Sequence, residues 1–122
     1  VVESKRSARI INIVLVVDGG TPGMVHGGAA RAGVINMTRT LAREWGPHGI
    51  LINAVAPGTI DTPGLDQYDK DALRAAVERL PVPRMGTAAE VATAVAFLAS
   101  PAGDYITGEV LSVDGGEHLV GG

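Results

Sequence analysis

From Val34 the apolar positions fall at Val34, Met37, Leu41 and Trp45, steps of three and four that put them on one face of a helix. Gly46 and Pro47 stop that helix, His48-Gly49 turns the chain, and Ile50 to Ala56 forms an apolar run interrupted only by Asn53. The stretch from Gly27 to Gly58 therefore reads as one helix-strand unit of a parallel sheet, and its strand wants helices on both faces. Upstream, seven of the eight residues from Ile10 to Val17 are apolar, which predicts a fully buried strand. The segment Asp18 to Gly23 is a loop by composition. Downstream, Leu73, Ala76, Val77 and Leu80 share a face of a helix over Asp69–Leu80, ended by Pro81 and Pro83. Thr87-Ala88-Ala89-Glu90 has capping-box spacing and opens a third helix that runs to about Ala99. Glu109 to Val113 is a last short strand, closed by Asp114-Gly115-Gly116 with no helix expected after it.

Three strands alternating with three helices predict an α/β layer structure with a parallel sheet, and no repeat or linker divides residues 1–122 into two domains. Composition fits one globular domain: 122 residues, 46% of them hydrophobic, are enough for a core. The net charge is −3, and the basic residues are scattered among helices, which argues against nucleic acid as a partner. Without cysteine, neither a disulfide framework nor a thiolate zinc site is available, and the three histidines are too dispersed for an obvious metal site. The longest apolar stretch is too short to cross a bilayer, and no cationic start with an apolar signal follows the N-terminus. The expectation is a soluble, cytoplasmic protein with no membrane partner. The opening Val-Val and the helix-compatible Val1–Ser7 hint at truncation.

Several blocks in sequence order carry a family resemblance. Leu41-Ala42-Arg43-Glu44-Trp45-Gly46-Pro47, then Ile52-Asn53-Ala54-Val55-Ala56-Pro57-Gly58, then Pro83-Arg84-Met85-Gly86, and finally Thr107 to Gly116 resemble the C-terminal half of a short-chain dehydrogenase/reductase. Val25 to Val34 further resembles the peroxisomal-type 2-enoyl-CoA and 2,4-dienoyl-CoA reductases of that family. The resemblance implies part of a Rossmann-type doubly wound sheet whose N-terminal half is absent from this chain. It also implies an NADP- or NAD-dependent hydride transfer to an enoyl-CoA or carbonyl substrate, a small molecule in either case. Family members use a tyrosine as acid or base, with a lysine four residues later and a serine upstream. A phenol with an ordinary pKa near 10 needs an adjacent cation before it exchanges protons usefully near neutrality.

Here those positions fall on Gly27, Arg31 and Val14. Gly27 has nothing to donate, Val14 cannot hydrogen-bond a substrate oxygen, and Arg31 keeps a positive charge in a planar fork of different reach. Beside the vacant tyrosine position stands His26, a residue type whose ordinary titration range spans neutrality. His26 is thus either a proton donor or a helix-start residue that caps and packs. Arg31 either holds a cofactor ribose or phosphate, or is a solvated or paired surface arginine. The loop Pro57-Gly58-Thr59-Ile60-Asp61-Thr62 follows the C-terminal end of a strand, where open parallel sheets place their ligands. By the resemblance, the main chain near Ile60 and the Thr62 hydroxyl meet the nicotinamide carboxamide; the competing reading is turn chemistry alone. Pro63 to Leu80 is then either a substrate lid, with Leu65, Tyr68 and Leu73 available to an acyl chain, or a surface helix.

No glycine-rich turn between a strand and a helix N-terminus is present to grip a pyrophosphate: Gly19-Gly20, Gly115-Gly116 and Gly121-Gly122 lack that context. The chain alone is therefore expected to bind its cofactor weakly. Two functions stand: part of an NAD(P)-dependent reductase, or a non-catalytic half-domain that survives by self-association. In both, an unpaired strand at the sheet border favours a homo-oligomer, a dimer or tetramer.

Overall fold

A computed structural model describes residues 8–15 and 25–120. The opening segment Val1–Ser7, the end of the first predicted strand at Val16-Val17, the loop over Asp18–Gly23 and Gly121-Gly122 lie outside the described residues. Three strands, β1 (Ala8–Ile13), β2 (Ile50–Pro57) and β3 (Val110–Val113), form one sheet in the order β1-β2-β3. Both pairings are parallel, with Ala8 opposite Ile50 and Ala54 opposite Val110. Four helices accompany them: α1 (Val25–Trp45), α2 (Lys70–Glu78), α3 (Ala88–Ala99) and α4 (Glu117–Val120).

Strand alternation sorts the core into two faces. Val14, Ala54 and Ala56 lie on one face and pack against Ile35 of α1, with Val34 and Val110 at the margin. On the same face Asn12 donates from Nδ2 to Thr38 Oγ1 at 3.0 Å, and Thr38 in turn donates to Val34 O. A polar pair under a helix thereby satisfies itself, as buried hydroxyls and amides must. The other face carries Val55, fully buried, and α3 packs across all three strands with Leu98 buried. Asn53, the polar interruption in β2, accepts from Glu109 N at 2.9 Å and donates to Ile106 O at 3.1 Å. Its amide fixes the entry into β3.

Three expectations need correction. The strand predicted over Ile10–Val17 as fully buried starts at Ala8, gives way after Ile13, and leaves Ile10 at 37% and Ile13 at 47% exposure. Among the described residues β1 pairs with β2 alone, in keeping with the unpaired strand expected at the sheet border, so what needs correcting is its full burial. The apolar stripe of α1 is also not its buried face: Gly28, Ile35, Thr38 and Ala42 are buried, while Val34, Leu41 and Trp45 are half-buried and Met37 is exposed. Gly28, Ile35 and Ala42, seven residues apart, together with Thr38 form the face turned to the sheet, and the bulkier stripe lies on the shoulder. Finally, the chain does not stop at Gly115-Gly116. Both glycines take left-handed backbone, φ 62° and 89°, and turn the chain into α4.

Candidate functional site

All three strands run the same way, so their carboxyl ends share one edge of the sheet, the edge at which open α/β sheets bind ligands. The loop after β2 and the turn after β3 meet at that edge. The loop Pro57–Thr62 is tied down residue by residue. Gly58 N donates to Val113 O at 3.0 Å, Gly86 N donates to Thr59 O at 2.9 Å, and Asp61 N donates to Gly86 O at 2.9 Å. The last two bonds form a parallel bridge between Ile60 and Gly86. A parallel bridge uses the peptide groups flanking its central residue, so the N–H and C=O of Ile60 itself face away from Gly86. Thr62 caps the following turn without a hydrogen bond from its hydroxyl, and its side chain is exposed. The loop thus leaves Ile60's main chain free of the Gly86 bridge and Thr62's side chain exposed, with the Asp61 carboxylate beside them in the lining of a neighbouring cavity.

The supports come from farther along the chain. Gly58 lies against the turn after β3: a Cβ on it would stand 2.7 Å from Asp114 Cβ. Thr59 Oγ1 donates to Glu117 Oε1 at 2.9 Å. Asp114, almost wholly buried, accepts from Gly116 N at 3.0 Å and from His118 N at 2.9 Å, and meets His118 Nδ1 at 2.7 Å. Burial works against ionisation of this carboxyl, but the hydrogen bonds from the His118 ring and from the His118 and Gly116 backbone outweigh it and hold its pKa below the ordinary range. On the opposite side, Arg84 forms a bidentate pair with Glu90, both N–H···O distances 2.9 Å. Glu90 also accepts from Thr87 N, and it is held down at about 2, first by the Arg84 hydrogen bonds and then by the Thr87 backbone. The same contact raises Arg84.

Two cavities of about 470 Å³ each border the loop. The first is walled by Thr59, Arg84, Glu90, Ser112, Asp114 and His118. The second is lined by the apolar Leu65, Leu73, Val77 and Met85 together with Thr62 and the charged Asp61, Asp66, Lys70, Arg74 and Arg84.

The predicted site residues are only partly gathered. Pro57, Gly58, Ile60 and Thr62 stand together at the sheet edge, and Leu65 and Leu73 line the second cavity. Tyr68 is half exposed and lines neither cavity. His26, Gly27 and Arg31 lie in the first two turns of α1, all exposed, and line neither cavity. Val14 points into the core against Ile35, Ala54 and Ala56 and cannot face a ligand. Asp114, Glu117, His118 and the Arg84 partnership were not foreseen. The one available signal was the four-residue spacing of Asp114 and His118, which is informative only if a helix follows the glycines. Among the described residues no cluster of histidines and carboxylates could hold a metal ion. Among them, too, no helix is long and apolar enough to cross a membrane.

A family model described as Enoyl-(Acyl carrier protein) reductase matches residues 2–118. The chain belongs to the short-chain dehydrogenase/reductase family. Curated relatives of this reductase family include the 3-oxoacyl-[acyl-carrier-protein] reductase FabG of Vibrio harveyi, 44% identical over 117 residues. That alignment covers 95% of this chain and 48% of the relative. The Thermotoga maritima FabG is 42% identical over 113 residues, covering 92% and 46%. Among solved structures, a short chain dehydrogenase/reductase family protein superposes with TM-score 0.80 at 38% identity, covering 91% of this chain and 46% of that one. A blue fluorescent protein from a metagenomic library, in complex with NADPH, superposes with TM-score 0.78 at 41% identity, covering 88% and 44%. The chain spans about half the length of the curated relatives it matches. Its three parallel strands and flanking helices are part of the family's Rossmann-like sheet.

Proposed function

We propose that this chain is the substrate-side part of an NAD(P)-dependent oxidoreductase that reduces a carbonyl or enoyl thioester. The observation that carries the reading is the loop Pro57–Thr62, pinned on one side so that Ile60's main chain faces away from Gly86 and the exposed Thr62 borders a cavity lined by both apolar and charged side chains. Those groups suit the amide end of a nicotinamide, which needs one donor and one acceptor from the protein. The phosphate end finds no match among the described residues: Gly115-Gly116 lead from β3 into a helix of only four residues, α4, and Gly116 N is already donated to Asp114. A nicotinamide bound at the loop would supply a hydride. Ile60 and Thr62 would orient its ring, and Leu65, Leu73 and Val77 would shelter the acyl part of the substrate from water.

The identity of the relatives favours a 3-oxoacyl thioester. The likeness of Val25–Val34 to 2-enoyl-CoA reductases, together with Gly27 at the tyrosine position, supports an enoyl thioester as the second substrate class. An acyl group can be carried by coenzyme A or by a carrier protein in either case. Proton delivery then falls to His26, with Arg31 as the neighbouring cation. The competing reading, a self-associating half-domain without catalysis, draws support from Gly27 and from the exposed border of β1.

The test has two arms. NADPH fluorescence titrated with the 122-residue chain is expected to stay unchanged, because the phosphates lack a cradle. A chimera joining the N-terminal half of the Vibrio harveyi relative to this chain is expected to enhance that fluorescence and to reduce a 3-oxoacyl thioester faster than crotonyl-CoA. His26→Ala is expected to slow it by about a hundredfold or more, as loss of a proton donor does. A chimera that folds yet leaves NADPH fluorescence unchanged overturns the oxidoreductase reading.

A further inference from the structure

The short helix α4 does nothing for the core: Leu119 is 73% exposed and Val120 50%. Its contacts are directed instead at the loop after β2. Asp114 anchors its start through three hydrogen bonds, from Gly116 N, His118 N and the His118 ring, so that α4 is held although it has only four residues. Glu117 stands on this anchored turn and accepts the Thr59 hydroxyl at 2.9 Å. Thr59 is the residue whose carbonyl receives Gly86 N in the bridge that turns Ile60 outward. Gly58, immediately before it, has no room to move toward β3, since Asp114 Cα and Cβ already lie within contact of its Cα hydrogens.

We propose that Glu117 is a positioning residue: through the Thr59 hydroxyl it sets the conformation of Pro57–Thr62 and hence the direction of the Ile60 main chain and the Thr62 hydroxyl. The turn after β3 and the loop after β2 then behave as one unit, with α4 as a strut. The inference rests on the functional reading only for what the loop holds; the coupling itself is a property of the chain without any ligand.

Amide hydrogen exchange on the 122-residue chain tests it. In Glu117→Ala the amides of Asp61 and Gly86, which close the bridge, are expected to exchange about tenfold faster, the size of effect expected from losing one charge-assisted hydrogen bond. The amides of Ala54 and Val55 in the centre of the sheet are expected to keep their protection. Thr59→Val is expected to reproduce the effect, and the double variant to add nothing to either single change. Glu117→Gln, which retains an acceptor oxygen, is expected to restore slow exchange, whereas Glu117→Met, which fills similar space without that acceptor, is not; a merely space-filling role would make Gln and Met behave alike. Unchanged exchange at Asp61 and Gly86 in both single variants overturns the proposal, and so does a uniform rise that includes Ala54 and Val55. The NADPH titration of the chimera reads the cofactor assignment separately, so a bridge that loosens as described beside a chimera that ignores NADPH sinks only the functional reading.

Discussion

Gly58 and Gly33 show how differently one residue type is constrained in this chain. A Cβ at Gly58 would meet Asp114 Cβ at 2.7 Å and Asp114 Cα at 2.8 Å, and backbone cannot retreat as a flexible side chain can. Gly58→Ala is therefore expected to destabilise by about 2 kcal/mol, as overpacking does, lowering the melting temperature by roughly 10 °C for a domain of this size. At Gly33, within α1, nothing lies within 4 Å of the added carbon. Gly33→Ala is expected to stabilise by about 0.5–1 kcal/mol through the lost freedom of the unfolded chain. Thermal unfolding of the two variants side by side checks both signs. Asp114 adds a pH dependence. Its folded pKa lies below the ordinary 3.8 because hydrogen bonds to the ionised form outweigh burial, so its contribution is present above about pH 4 and is lost as pH falls through the folded value. Asp114→Asn, which cannot titrate, is expected to flatten the acid limb of melting temperature against pH; an acid limb of unchanged slope would show that this carboxyl has no part in it.

The helix starts illustrate what a sequence can and cannot disclose. Thr87 and Glu90 form the reciprocal cap their spacing predicts, Glu90 N on Thr87 Oγ1 at 3.1 Å and Thr87 N on Glu90 Oε1 at 3.0 Å. Thr87→Ala is expected to cost about 1 kcal/mol, read from chemical denaturation. With Glu90 held at about 2 against an ordinary 4.5, the cap is intact at neutral pH and weakens only as pH falls from about 4.5 toward 2. This element was legible because its partners are three residues apart. The existence and ends of α1, β2 and α3 were legible for the same reason, through periodicity, Gly-Pro punctuation and capping. The buried face of α1 was not: Val34, Met37, Leu41 and Trp45 carry the stronger apolar signal, yet Thr38 is the side chain with no exposure, because Asn12 on a distant strand satisfies it. Nor was α4, whose anchor at Asp114 depends on two left-handed glycines that read as a plain stop. At the site the same division holds. The position of Pro57–Thr62 follows from strand order, whereas its bridge to Gly86 and its tether to Glu117 join residues 26 and 58 positions apart. The core placement of Val14 likewise follows from the pleat of β1 against α1 and from nothing nearby in sequence.

The described residues form a three-stranded parallel sheet covered on both faces and bordered on one side by β1, whose Ile10 and Ile13 are 37% and 47% exposed. A parallel sheet normally buries its strands, and the chain aligns with only 48% of the Vibrio harveyi relative's length. Among the described residues the outer peptide groups of β1 have no strand beside them, and an apolar unpaired border is a template for another chain. Met37, left on the outer shoulder of α1 at 45% exposure, adds a second apolar contact surface. The 122-residue chain is therefore expected to associate with itself, eluting ahead of the 12.5 kDa monomer in size-exclusion chromatography with light scattering, and more so as concentration rises. Ile13→Lys, which puts a charge on the border without touching the core cluster, is expected to shift the population toward monomer while leaving the helical signal unchanged. If instead Met37→Lys disperses the assembly and Ile13→Lys does not, copies meet through α1 and the sheet border is quiet. A monomer at every concentration would mean that neither surface drives association, and the half-domain reading, which requires self-association for its stability, would fall with it.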